Sequence, residues 1–151
     1  MTGVQTCALP ILHVVTSIYL ECKIFFTSKY GGRTVTGLIS SSVNFTWSFS
    51  GDIRSVSWGL KHAGISTIQN NGVLVFMDKS GSVSVTVPSA YNGRVSGTGD
   101  VTSGLAIFTL SSIEKSDERF YGCVIRPKDA FDKEKFDAVH LVVEEIGRAH
   151  V

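Results

Sequence analysis

The side chains of this 151-residue chain that could do chemistry include four histidines and three cysteines, and their spacing argues against catalysis. His13, His62 and His140 lie far apart and form no His-x-x-x-His or Cys-x-x-Cys pattern. They read as surface or strand residues rather than metal ligands. No Gly-x-Ser-x-Gly elbow is present to make a serine nucleophilic. Gly97-Thr98-Gly99 has neither the following helix nor the lysine that phosphate binding needs, and reads as a turn. Asp117 has no acid or base at a spacing suited to proton transfer. The expectation is therefore no catalytic residue, no metal and no cofactor: not an enzyme.

One modification motif stands out. Asn44-Phe45-Thr46 is an N-glycosylation sequon, and the alternation around it turns Asn44 away from a core. Glycosylation there fits an extracellular or cell-surface address.

The two chain ends resemble a translated short-read sequencing adapter. Thr6 to Ile11 and Ile146 to Val151 can be encoded by one nucleotide string read on opposite strands. Residues 1–11 and 146–151 are accordingly read as non-native and set aside from fold reasoning. Without Arg148, residues 12–145 carry equal numbers of basic and acidic residues. Such a balance offers no basic field for nucleic acid, and the Lys and Arg residues form no stripe along the sequence. Cys7 falls in the excluded end, leaving Cys22 and Cys123. Residues 12–22 are mostly apolar and have two readings: the tail of a truncated secretory signal, or an ordinary first strand. Membrane attachment through a missing C-terminal region stays open.

From Lys23 to Glu145 the pattern has a period of two, broken by Gly, Ser, Asn and Asp, with no long helical repeat. Strands are predicted at Lys23 to Ser28, Val43 to Phe49, Val56 to Leu60, Ile65 to Ile68 and Val73 to Met77. Further strands are predicted at Val83 to Val87, Arg94 to Ser96, Leu105 to Leu110, Phe120 to Ile125 and Phe136 to Val143. Gly31-Gly32 reads as a break, Gly51-Asp52 as a turn, and Asn70-Asn71-Gly72 as a hairpin turn between the two strands that flank it. Pro88 stops pairing. About ten short strands argue for a single all-β antiparallel sandwich rather than an α/β architecture.

Asp117-Glu-Arg-Phe-Tyr121-Gly-Cys123, with Trp58 upstream, resembles the corner and core tryptophan of an immunoglobulin-like Greek-key sandwich. Two extra strands before Val87 make it similar to the variable type. The resemblance implies that the Tyr121 hydroxyl bonds back to the preceding turn, that Asp117 caps that turn, and that Arg94 and Asp117 form a salt bridge. It also implies a cysteine partner for Cys123 on the second strand, where Trp47 stands instead. Losing such a bridge costs about 2 to 5 kcal/mol. Burying a Trp is worth about 4 to 6 kcal/mol as an upper bound. Trp47 is therefore expected to pack against Cys123 and Trp58, leaving Cys123 a buried thiol; a Cys22–Cys123 bridge is the rival arrangement.

What the resemblance implies for function is protein recognition, through a homophilic or other protein partner. The expected binding face comprises Ser57, Lys61, Val124 and Arg126, a mildly apolar surface of low charge. Phe131, in a loop among charged residues, either anchors a partner or folds back onto the sandwich. Two other functions remain open: a structural domain of an intracellular muscle-type array, where disulfides are commonly missing, and a carbohydrate-binding sandwich.

Overall fold

The computed structural model describes residues 23–145. Ten strands form two sheets: β1 (Phe25–Ser28), β2 (Thr34–Leu38), β3 (Val43–Ser50), β4 (Ile53–Leu60), β5 (Val73–Asp78), β6 (Val83–Val85), β7 (Val95–Asp100), β8 (Leu105–Leu110), β9 (Phe120–Pro127) and β10 (Lys135–Glu144). One sheet has the order β1-β3-β8-β7 and the other β2-β10-β9-β4-β5-β6. All pairings are antiparallel except β2 with β10. The result is an all-β sandwich with a four-stranded and a six-stranded layer.

Alternation places the core. Along β3, Phe45, Trp47 and Phe49 are buried while Asn44 and Thr46 are exposed, as a period of two requires. Along β9 the inward residues Tyr121, Cys123 and Ile125 lie in register with Leu60, Trp58 and Val56 of β4. Between the layers, Phe45, Phe108 and Tyr121 pack as a ring cluster with centroids 5.9 to 6.3 Å apart.

Three local expectations are corrected. Residues 65–68 leave the sheet instead of forming a strand, because β4 pairs directly with β5 and Asn70–Gly72 forms a 3-10 turn rather than a hairpin. Gly64, with φ +78°, lies at the start of that excursion. Thr34–Leu38, unassigned from sequence, forms β2; its partner is 106 residues away, Thr34 lying beside His140. Gly97 and Gly99 are not a turn but strand positions in β7. A Cβ at Gly97 would stand 2.5 Å from Trp58 Cζ3, so glycine there makes room for the indole.

Antiparallel pairing sets three connections at one end of the six-stranded sheet. Ile53 pairs with Pro127, and Ser55 with Asp78. The Gly51-Asp52 turn, the β5–β6 turn and the long β9–β10 loop therefore lie together.

Candidate functional site

The interior residues form two groups. In the first, Tyr121 is fully buried and its hydroxyl donates to the Asp117 carbonyl at 2.7 Å. Arg94 grips the Asp117 carboxylate with both terminal nitrogens, at 2.7 and 3.0 Å, and that hydrogen bonding holds the guanidinium pKa above its ordinary value. The same carboxylate accepts from the Glu114 backbone N–H, closing a capped 3-10 turn over Lys115–Asp117. Burial, reinforced by the neighbouring Tyr91 hydroxyl, pushes the Tyr121 phenol well above its usual range. These groups hold the crossover between sheets.

The second group centres on Trp47. Its Nε1–H donates to Asp137 Oδ2 at 2.7 Å, a buried bond from β3 to β10. Asp137 also accepts from the backbone N–H groups of Tyr30 and Gly31, at 2.6 and 2.9 Å. The Tyr30 ring stands edge-on to Trp47 at 5.3 Å. Cys123 is a free, fully buried thiol in register with both Trp58 and Asp137. Burial pushes its pKa up, and the Asp137 charge adds to the effect. Cys22 lies outside the described residues, as do His13 and the ends read as non-native. Trp58 is buried without a partner for its Nε1–H, the one such side-chain atom among the described residues. Sequence reasoning missed Asp137, although an acid that shares the inward parity of Val139, Leu141 and Val143 is the signal that marks it.

The exposed surface differs from the expected binding face. Ser57 and Val124 are 1% and 0% exposed, although their strand parity points them outward. Val124 lies between Ser57 and Phe136 in register, and Arg126 Nη1 donates to Ser57 Oγ at 2.9 Å. Small residues in the middle of a six-stranded sheet are thus covered by the long side chains beside them. What projects instead is Phe76 on β5, 37% exposed, and Phe120 on β9, 40% exposed. Phe120 stacks on the His140 ring with centroids 4.3 Å apart, and Lys61 Nζ lies 5.7 Å from its ring centre. Phe131 is 94% exposed in the β9–β10 loop, so it does not fold back.

The loop-bearing end of the same sheet is more charged than the face expected around Ser57, Lys61 and Val124. An open depression of about 780 Å³ is lined there by Arg54, Lys79, Arg126 and Lys128, together with Asp78 and the Phe76 ring. On the opposite, four-stranded layer, Asn44 is exposed and its Oδ1 accepts from Thr109 Oγ1 at 2.7 Å.

Among the described residues no cluster of three His, Cys, Asp or Glu side chains could hold a metal ion, and no helix is long and apolar enough to cross a membrane. Compared with known proteins, the chain matches no family model and no curated protein sequence.

Proposed function

We propose that this chain is a variable-type immunoglobulin-like recognition domain, secreted or at the cell surface, that binds a protein partner. The observation that carries this reading is the outer face of the six-stranded sheet, with Phe76 and Phe120 projecting and Phe131 almost fully exposed on the adjoining loop. Aromatic side chains cover large areas at low conformational cost and are enriched where proteins bind one another. The variable-type assignment is supported by the strand order, with β5 and β6 extending the larger sheet and β2 parallel to β10. Asn44 on the opposite layer leaves a glycan clear of the binding face.

Beads coated with the domain, and fluorescent tetramers applied to intact cells, test the reading. Bead clustering or saturable cell staining is expected, and Phe120→Ser with Phe131→Ala is expected to abolish it. Absence of both clustering and staining refutes recognition. The second reading, a structural domain of an intracellular array, is favoured by the free Cys123 thiol, which needs no oxidising compartment. Under that reading Asn44 carries no glycan, and Cys123 stays a reduced thiol, in the protein isolated from its own cells.

A further inference from the structure

Residues 12–145 balance their charges, yet four cations converge on one depression of the six-stranded sheet. Arg54 comes from the start of β4, Lys79 from the β5–β6 turn, Arg126 from the end of β9 and Lys128 from the first position of the β9–β10 loop. These segments are distant in sequence and meet only because β4 pairs with both β5 and β9. The acid lining the depression, Asp78, is fixed as a carboxylate by its own turn: Oδ1 accepts from the Ser80 N–H at 2.8 Å, the Ser80 hydroxyl at 2.6 Å and the Ser82 N–H at 3.1 Å. Four cations against this one carboxylate leave the lining net positive.

Arg126 shows what chemistry this surface accepts. Its Nη1 is fixed on Ser57, while its Nε lies 3.4 Å from Glu134 Oε1 of the β9–β10 loop. Glu134 is in turn held by Thr67 Oγ1 at 3.0 Å and is half-exposed. The chain's own carboxylate therefore occupies one donor edge of this guanidinium, at a length and exposure typical of weak surface pairs. A planar guanidinium fork favours carboxylates, and a ligand carboxylate can displace so loose a partner. Phe76 adds an apolar surface beside the cations.

We propose that this depression is a docking groove for an acidic polypeptide segment of the partner, an inference that rests on the recognition reading and specifies its ligand chemistry. Asp or Glu carboxylates of the segment meet Arg54, Arg126 and Lys128, and its apolar atoms cover Phe76. Charge complementarity names this occupant. The Glu134 carboxylate already beside Arg126 shows the acceptor chemistry this guanidinium takes, and a sulfated polysaccharide is the competing occupant that the heparin probe tests.

Amide chemical shifts of the full chain, followed by NMR during titration with a decaglutamate peptide, test the proposal, with decaglutamine and a heparin oligosaccharide as comparison probes. Decaglutamate is expected to shift Arg54, Phe76, Lys79 and Arg126, and to bind more weakly as salt rises. The exposed double variant Arg54→Gln/Lys128→Gln is expected to weaken it about tenfold or more, and Glu134→Gln to strengthen it, by releasing Arg126. Absence of shifts in the groove, equal binding of decaglutamine, an unaffected double variant, or occupancy by heparin alone overturns the proposal. A domain that takes up decaglutamate yet neither clusters beads nor stains cells overturns the recognition reading alone. One that clusters or stains with no groove shift overturns the groove alone.

Discussion

The indole nitrogen of Trp47 and the carboxylate of Asp137 join the two sheets through a buried 2.7 Å hydrogen bond. Asp137 lies in register with Cys123, so the bond ends beside the thiol. A directional contact between a strand of each layer is what an inter-sheet disulfide would otherwise supply. Asp137 gathers three N–H donors, from Trp47, Tyr30 and Gly31, which is how a buried carboxylate can be accommodated.

Trp47→Phe keeps most of the ring but removes the donor, and should cost about 1.5 to 3 kcal/mol, the range for a hydrogen bond to a charged group. Trp47→Ala adds a cavity and should cost about 3 to 5 kcal/mol. Equilibrium urea unfolding reads both. A near-neutral Trp47→Ala would show that the indole does not join the layers.

Gly97→Ala should destabilise the domain by about 1 to 3 kcal/mol through overpacking, because the new methyl would lie 2.5 Å from Trp58 Cζ3 and 2.9 Å from Val75 Cγ1. Gly93→Ala makes an instructive comparison. It has open space around it but a φ of +75°, so its cost arises from backbone strain alone. Thermal unfolding, with the Trp58 near-ultraviolet signal followed alongside, separates the two: only Gly97→Ala should perturb the indole.

Asp132 links the β9–β10 loop to the start of the described chain by accepting from the Ile24 N–H at 2.7 Å. Burial acts to raise its pKa, but hydrogen bonds from Ile24, Lys133 and Lys135 outweigh it and hold the carboxyl below the usual 3.8. A lowered folded-state pKa means that its stabilising contribution is complete above the unfolded value and fades as pH falls through the folded one. Protection of the Ile24 amide against hydrogen exchange should thus weaken below about pH 4. Asp132→Asn should weaken that protection at neutral pH and flatten its acid dependence.

Cys123 should resist alkylation in the native state and react fully in denaturant, since a buried thiol of raised pKa presents little thiolate. Mass spectrometry of a Cys7→Ser/Cys22→Ser chain after iodoacetamide treatment reads this residue alone. Rapid native labelling would place it at the surface.

The regular alternation of Val43 to Phe49, and of the strands around Trp58 and Tyr121, was enough to reveal an all-β sandwich, because a period of two marks which side chains share a face. Asp137 was legible in principle, as a lone acid at an inward position. The neighbours of each strand were not legible. The parallel partnership of β2 with β10 spans 106 residues, and the loss of residues 65–68 from the sheet depends on β4 finding β5 first. Burial of Ser57 and Val124 likewise required neighbouring strands to bring Arg126 and Phe136 beside them, since parity states direction but not cover. The assembly of Arg54, Lys79, Arg126 and Lys128 has the same cause: strand pairing, a long-range outcome of which backbones meet, made one basic groove from cations that are scattered along a neutral chain.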